Sequence, residues 1–192
     1  MIGLGFTTAE RPRVGALYWA AFRRKLRAGF PDDASGQAFV TGVLRADRML
    51  VARVGGEVAG VCGFHEGGHG AVAFSWRELR ERFGVRTSLR VSAALAPLGR
   101  SEAGGVLVLD GVCVDARHRG RGIGSALLAA AQAHAATRGD REVQLSVVDT
   151  NPRAEALYRR LGYRVVGEGS MGVLGELYGF RRYRTMRRPV AS

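Results

Sequence analysis

The stretch Val106–Ala130, VLVLDGVCVDARHRGRGIGSALLAA, decides how this chain is expected to fold. Its first nine residues are apolar or β-branched with few exceptions, which predicts a mostly buried strand. The polar run DARHR follows, and Gly122 and Gly124 then open a helix rich in alanine and leucine. The first amides of a helix lack partners within it, its dipole is positive there, and glycine lets an anion approach closely. The stretch therefore predicts a strand, a glycine-rich turn and a helix that cradle an anion.

Two other glycine-rich motifs do not fit this turn. A dinucleotide-binding fingerprint would need glycine at Leu127, and a P-loop would need lysine after its last glycine. The turn instead reads Arg119-x-x-Gly122-x-Gly124, with Arg121 inside it. This pattern resembles the Q/R-x-x-G-x-G/A motif of the GNAT superfamily of N-acetyltransferases, in which loop and helix amides hold the pyrophosphate of acetyl-CoA.

A second stretch resembles the same family. The strand-like segment REVQLSVV is followed by NPRAEALYRRLGY, residues 151–163. This segment is similar to the second GNAT signature, N-x-x-A-x-x-L-Y-x-x-x-G-F/Y. Two motifs in the expected order make the resemblance specific from about Val106 to Val166, whereas the rest of the chain fits the family in outline.

The resemblance implies an α/β fold. We expect a mixed, largely antiparallel sheet of six or seven strands, flanked by helices, whose fourth and fifth strands splay to admit the cofactor. MLVARV, the Gly55-Gly56 turn and EVAGVCGF form a hairpin that supplies the second and third strands. FRRYRTM is expected to be the final strand, after a strand over Tyr163–Glu168.

About 40 residues between the third and fourth strands depart from the usual short turn of the family. They predict a helical insert. Ser75 and Glu78 fit a capping box at the start of one helix, and Trp76 on it is a candidate acceptor contact. A second helix is expected from about Ser88 to Leu98. Its apolar stripe would comprise Leu89, Ala93 and Ala96.

The N-terminal part predicts a short edge strand, IGLGFTT, and two helices. The first begins near Glu10, and its apolar positions recur at a spacing of three to four residues. They are Val14, Leu17, Tyr18, Ala21 and Phe22. The second helix is expected to be capped near Asp33 or Ser35. By resemblance, both helices border the acceptor side of the site.

Length and composition favour one domain over residues 1–192. The chain has 46% hydrophobic residues, and no apolar run approaches the roughly 20 residues of a spanning helix. No secretory leader is recognisable, and Cys62 and Cys113 lie in apolar segments that predict free thiols. We therefore expect a cytoplasmic protein without a membrane partner; a homodimer is left open.

The formal net charge of +12 first suggests a nucleic-acid partner. All basic residues but Lys25 are arginines, which mostly stand singly, with clusters only in FRRKLR and FRRYRTMRR. We interpret the charge as a solvated basic surface that also serves the phosphates of CoA, and expect no nucleic-acid partner. The same charge argues mildly against a polycationic acceptor.

Residues His65–His69, HEGGH, spell the HExxH pattern of zinc proteases. That chemistry needs both histidines on one face of a helix. Gly67 and Gly68 disfavour a helix by about 1 kcal/mol each relative to alanine, and the segment follows a strand. We therefore predict a turn with two exposed histidines and no metal site.

The resemblance assigns acetyl-CoA binding to the turn, to the strand end before it, which would pair with the pantetheine arm, and to an asparagine. These residues are Val112, Cys113, Val114, Arg119, Gly120, Arg121, Gly122, Ile123, Gly124, Ser125 and Asn151. Asn151 has an equally good explanation as a helix N-cap.

Two residues are candidates for catalysis. Tyr158 matches the tyrosine that commonly protonates the departing sulfur in the family; alternatively, it is a core aromatic. A glutamate that serves as base in some relatives is replaced by Ser146. Asp110, expected on the same strand face as Val108 and Val112, is the candidate base, with a cross-strand polar contact as the alternative. Other candidates are loop residues: Glu66, Glu176 and Tyr178.

The resemblance thus predicts an N-acetyltransferase that moves an acetyl group from acetyl-CoA to a primary amine by direct attack in a ternary complex. Neither cysteine lies in a motif that suggests a covalent acetyl-enzyme. The acceptor is left open between a small metabolite and a protein or peptide amine. The alternative is a non-catalytic acyl-CoA sensor or interaction module with the same fold.

Overall fold

The computed structural model describes residues 1–95 and 104–190, which contain seven strands and six α-helices. The strands are β1 (Ile2–Leu4), β2 (Met49–Val54), β3 (Glu57–Phe64), β4 (Val106–Val114), β5 (Glu142–Val148), β6 (Arg164–Ser170) and β7 (Arg182–Pro189). The helices are α1 (Arg11–Leu26), α2 (Asp33–Val43), α3 (Trp76–Leu95), α4 (Ile123–Thr137), α5 (Pro152–Arg160) and α6 (Gly175–Tyr178). None of the described helices is both long and apolar enough to cross a membrane.

All seven strands form one mixed sheet in the order β1-β2-β3-β4-β5-β7-β6. Only β4 and β5 are parallel, and their pairing runs just from Val106 opposite Glu142 to Val108 opposite Gln144. Both strands continue beyond these pairs, to Val114 and Val148, so they diverge. The predicted fold class, edge strand, hairpin and splayed pair are all confirmed.

Two hydrophobic clusters cover the sheet faces, as alternation along β2 shows: Met49 and Val51 join one cluster and Leu50 and Ala52 the other. The first cluster packs residues of α1, α2 and α3 against the sheet. The second contains Leu127 and other residues of α4, together with aromatic residues of α5 and the segment after it. The site described below lies where β4 and β5 part between these two layers.

The helix starts differ from expectation in one case. Asp32, rather than Asp33 or Ser35, caps α2, because its extended backbone lets its carboxylate accept the Ser35 N–H (2.7 Å). The capping box before α3 is confirmed: the Ser75 N–H donates to Glu78 (2.6 Å), and the Glu78 N–H donates to Ser75 Oγ (3.2 Å).

The predicted insert is helical, but its second apolar stripe is wrong. Gly84, at φ 72°, breaks α3 into two helical halves and changes which side of the second half faces the core. Ser88 and Val91 are buried, whereas Leu89 is exposed. Ala93 is exposed too, while the other predicted stripe residue and the helix end at Leu98 lie outside the described residues.

Candidate active site

A cleft of about 1070 Å³ lies between α1, the end of β4, the start of α4 and α5. It is lined by every cofactor residue expected from the sequence except Arg121, and by Tyr158. Four arginines of the described chain line it: Arg13, Arg119, Arg153 and Arg160. Because Asp115 is the one carboxylate among these lining residues, the cleft suits an anionic ligand.

The turn before α4 has the backbone that its glycines predict. Gly120 and Gly122 lie at φ 76° and 78°, in the left-handed region where side chains are strained. The first backbone bond of α4 runs from the Ala126 N–H to the Gly122 carbonyl (3.0 Å). The amides of residues 123–125 precede it and have no partner within the helix, so they can donate to an anion in the cleft.

Asp115 ties this turn to α1. Its carboxylate accepts the Arg117 N–H (2.8 Å) and contacts the guanidinium of Arg13. Hydrogen bonds from Arg117 and from Arg13 hold the pKa of Asp115 well below its usual range, despite its burial. The carboxylate therefore stays ionised and fixes Arg13 beside the glycine turn.

Helix α1, which the resemblance placed beside the acceptor, forms one wall of the cleft from Arg13 to Phe22. Arg13 contacts Asp115 at one end, and near the other end Phe22 lies so close to Gly111 that a Cβ there would be 2.2 Å from the ring. Helix α1 thus runs antiparallel to β4. Its small residues Ala16, Ala20 and Ala21 also line the cleft; this run of alanines beside the apolar stripe was the available signal.

Asn151 and Tyr158 each make a structural contact and also line the cleft. Asn151 accepts the Ala154 N–H (3.2 Å), which makes it the N-cap of α5, and it also lines the cleft. Tyr158 is buried, with its ring 6.0 Å from that of Tyr163, yet it faces the cleft as well. For both residues, the two alternatives considered from the sequence are compatible in space.

Asp110 lies outside the described lining of the cleft. Gly63 pairs with Gly111 and Phe64 with Leu109, so Asp110 is the extra residue of a β-bulge in β4. Its carboxylate accepts the Ala71 N–H (2.6 Å) and contacts His65 Nε2. The bulge turns Asp110 toward the cluster of Ala71, whereas Val112 packs on the other cluster, so the expectation of a shared face is wrong.

The HEGGH segment is a tight turn, as expected, since Gly67 and Gly68 both have positive φ and the Glu66 N–H donates to the His69 carbonyl (2.9 Å). The two histidines are not both exposed, however: His65 is half-buried against Asp110.

The remaining candidates lie elsewhere or are disfavoured by their contacts. Trp76 is exposed and is absent from the described lining of the cleft, and Glu66 forms ion pairs with Arg48 and Arg138. Tyr178 is buried. Burial raises the pKa of Cys113 to about 12, so this cleft thiol has little thiolate character.

The geometry agrees with comparisons to known proteins. A structure described as an acetyltransferase is 20% identical, with a TM-score of 0.65 and 100% of both chains covered. An N-acetyltransferase from Staphylococcus aureus is 19% identical, with a TM-score of 0.65, and the match covers 98% of this chain and 100% of that one. A ribosomal-protein-alanine N-acetyltransferase from Brucella melitensis is 19% identical, with a TM-score of 0.59 and coverages of 98% and 99%. These likenesses concern the fold.

A comparison with curated proteins gives no match. The family model described as the acetyltransferase (GNAT) family matches residues 12–163, which contain the splayed strands, the glycine turn, α5 and most of the cleft. The chain belongs to the GNAT acetyltransferase family.

Proposed function

We propose that this protein is an acetyl-CoA-dependent N-acetyltransferase that acts by direct attack of a primary amine on the thioester. The observation that carries the proposal is the cleft itself. Unpartnered amides at the start of α4 and four arginines converge where β4 and β5 part. That combination suits a long ligand with a diphosphate at one end.

The residues present fit acetyl-CoA along its length. The amides of residues 123–125 and the side chain of Arg119 would bind the diphosphate. Residues Val112–Val114 pair with β3 on one side, and their other edge faces the gap left by β5. Backbone groups on that edge would pair with the amides of the pantetheine arm, and one N–H would stabilise charge on the thioester oxygen.

Acetyl-CoA supplies the activated acetyl group; the protein supplies position and proton transfer. We propose that Tyr158 donates a proton to the leaving sulfur, with a modest effect because thiols of pKa near 8.5 leave readily. An alkylammonium of pKa near 10.4 is only about 0.1% neutral at pH 7, so the amine must also lose a proton. The contacts of Asp110 favour a structural role, and we propose that water carries this proton away. Asp110 as the base is the rival assignment.

The high pKa of Cys113 supports direct attack rather than an acetyl-enzyme. A thiol that is protonated at neutral pH is a weak nucleophile. Direct attack requires both substrates to be bound together, so initial-rate patterns should show a ternary complex rather than ping-pong kinetics.

Two measurements test the proposal together. Isothermal calorimetry should show acetyl-CoA binding, and a thiol-reactive dye should show release of CoA with at least one of a broad panel of primary amines. Failure to bind acetyl-CoA would refute the proposal. Tight binding without turnover on any amine would favour an acyl-CoA sensor instead.

A further inference from the structure

A second cavity, of about 610 Å³, lies at the far end of α1 from the diphosphate turn. It is formed by the end of α1, the connection to α2, the second half of α3 and α6. Phe30, Pro31 and Leu177 give it an apolar lining, and Arg24, Arg27 and Arg90 give it positive charge. Four separate segments therefore meet around a concave, partly basic space.

This cavity continues the cleft along one stripe of α1. Residues Arg13, Leu17 and Ala20 line the cleft, and Arg24 and Arg27 line the second cavity. Their spacing of three and four residues places all of them on one side of the helix.

Distances along the helix place the cavity next to the thioester end of the cleft. Phe22 lies against Gly111 of β4, close to Val112, where the pantetheine arm would end. At a rise of about 1.5 Å per residue, Arg24 and Arg27 lie about 3 and 8 Å beyond Phe22 along the helix axis. An acceptor amine at the thioester would therefore have its other end within reach of this cavity.

The cavity is also lined by three carboxylates, Asp32, Asp33 and Glu176, which equal its arginines in number, and each has a neighbour outside the lining. Asp32 accepts the N–H (2.7 Å) and the hydroxyl (2.9 Å) of Ser35 as the cap of α2. Asp33 lies 3.7 Å from Arg23, and Glu176 lies 3.7 Å from Arg181. Asp33 and Glu176 each lie near an arginine, and neither of these two arginines lines the cavity.

Arg24 and Arg27 differ from these groups. Neither guanidinium group has a hydrogen-bond or ion-pair partner among residues 1–95 and 104–190. Gly179, at φ 70°, permits Arg24 to lie against the backbone, because a Cβ there would be 2.8 Å from its Nε and Nη2 atoms. Two guanidinium groups at one wall thus remain available to a ligand, and guanidinium groups bind carboxylate or phosphate oxygens through paired hydrogen bonds.

We propose that the acceptor is a primary amine that also carries an anionic group, a carboxylate or a phosphate, which Arg24 and Arg27 hold in this second cavity. The inference rests on the proposed acetyl transfer for the role of the amine, but the anion site itself does not depend on it. The anion pairs with the two guanidinium groups and fixes the distance of the amine from the thioester.

Matched small amines test this specificity. The probes are 4-aminobutyrate, 2-aminoethyl phosphate and the neutral 4-aminobutyramide. We expect kcat/KM for at least one anionic probe to exceed that of the amide by about 10- to 100-fold, the size of hydrogen bonds to a charged group. The double substitution Arg24→Glu and Arg27→Glu should abolish that preference and leave the Kd for acetyl-CoA unchanged. Arg80→Glu is the control, since Arg80 is exposed and lines neither described cavity.

A direct titration separates this inference from the proposed function. The same probes are added to the protein while the Nε–H resonances of Arg24 and Arg27 are followed by nuclear magnetic resonance. Shifts caused by the anionic probes and not by the amide support the site, even if no probe releases CoA. Equal responses to acid and amide, no response to any probe, or a preference that survives the double substitution would overturn it.

Discussion

The two ends of α1 face cavities that differ in how they are built. At the Arg13 end, the cleft is closed by one continuous stretch, Arg119–Ser125, which includes backbone amides without partners in α4. At the Arg27 end, the second cavity is bounded by side chains from four separate segments. A backbone cradle binds any ligand with the same diphosphate, whereas dispersed side chains can change one at a time. We therefore propose that the Arg13 end is a common cofactor end and that the Arg27 end is an individual acceptor end.

The strongest test of the cofactor end is Gly124→Trp. Gly124 lies at the start of α4, where a Cβ would meet Leu157 at an ordinary 3.4 Å, so the larger side chain would fill the cleft without breaking the core. We expect calorimetry to show at least about a 100-fold loss of acetyl-CoA affinity, because the phosphate approach is blocked. Binding of anionic probes at Arg24 and Arg27 should persist.

Gly42→Trp is the matched control for that variant, since Gly42 is an exposed helical glycine with no atoms within 4 Å of its Cβ position. It should bind acetyl-CoA normally. If Gly124→Trp keeps its affinity, the cleft is not the cofactor site and the contrast between the two ends fails.

Tyr158→Phe tests the proposed general acid, which lines the cleft. The ring and its packing near Tyr163 are kept, and only the hydroxyl is lost. We expect kcat to fall about 10- to 100-fold, at the low end of general acid effects, with little change in acetyl-CoA affinity. Tyr163→Phe, which removes a buried hydroxyl near Gln132 outside the described cleft lining, should leave kcat nearly unchanged. Equal kcat values for both variants would leave Tyr158 as a core residue.

Asp110→Asn tests whether the bulge in β4 serves stability or catalysis. The amide would weaken the bond from the Ala71 N–H and the contact with His65. We expect the free energy of unfolding to fall by about 1 to 3 kcal/mol in denaturant titration, with kcat within a few-fold of the parent. Asp149→Asn is the control. Asp149 is an exposed carboxylate that accepts the Arg182 N–H (3.0 Å), and we expect its substitution to lower the free energy of unfolding by less. A large loss of kcat at unchanged stability would instead make Asp110 the base.

The smallest effect on stability is expected for the ion pair between Glu10 and Arg53, which holds the start of α1 against β2. Hydrogen bonds from Arg53 of β2 and from the Thr7 N–H lower the pKa of Glu10 from 4.5 to about 2. A pKa lowered in the folded state adds stability above pH 4.5, and this stability is lost as the pH falls toward 2.

Glu10→Gln should therefore cost about 1 kcal/mol near neutral pH, because the pair is partly exposed to solvent. The two unfolding free energies should draw together as the pH falls from 4.5 and converge near pH 2. Chemical denaturation across this pH range provides the measurement. A difference that is constant with pH would show that the carboxylate charge of Glu10 does not fix this end of the helix.

The second cavity was the feature that the sequence predicted least well. Arg24 and Arg27 were visible only as part of a basic cluster, because nothing in their spacing shows that the α2 connection, α3 and α6 meet beside them. Trp76 was expected near the acceptor but is exposed and outside the described linings of both cavities. Leu89 was expected in a packing stripe, yet the kink at Gly84 leaves it exposed.

By itself, the sequence determined the strands, the glycine turn and the two signature helices, whereas the splay of β4 and β5 was implied by the resemblance to the family. These features follow from neighbouring residues: glycines permit positive φ, a helix start leaves its amides free, and alternation defines a strand. The tertiary structure alone decided the direction of Asp110, the contact of Arg13 with Asp115 and the second cavity. Each depends on contacts between distant segments, and the single extra residue of the β4 bulge is enough to turn a side chain to the other face.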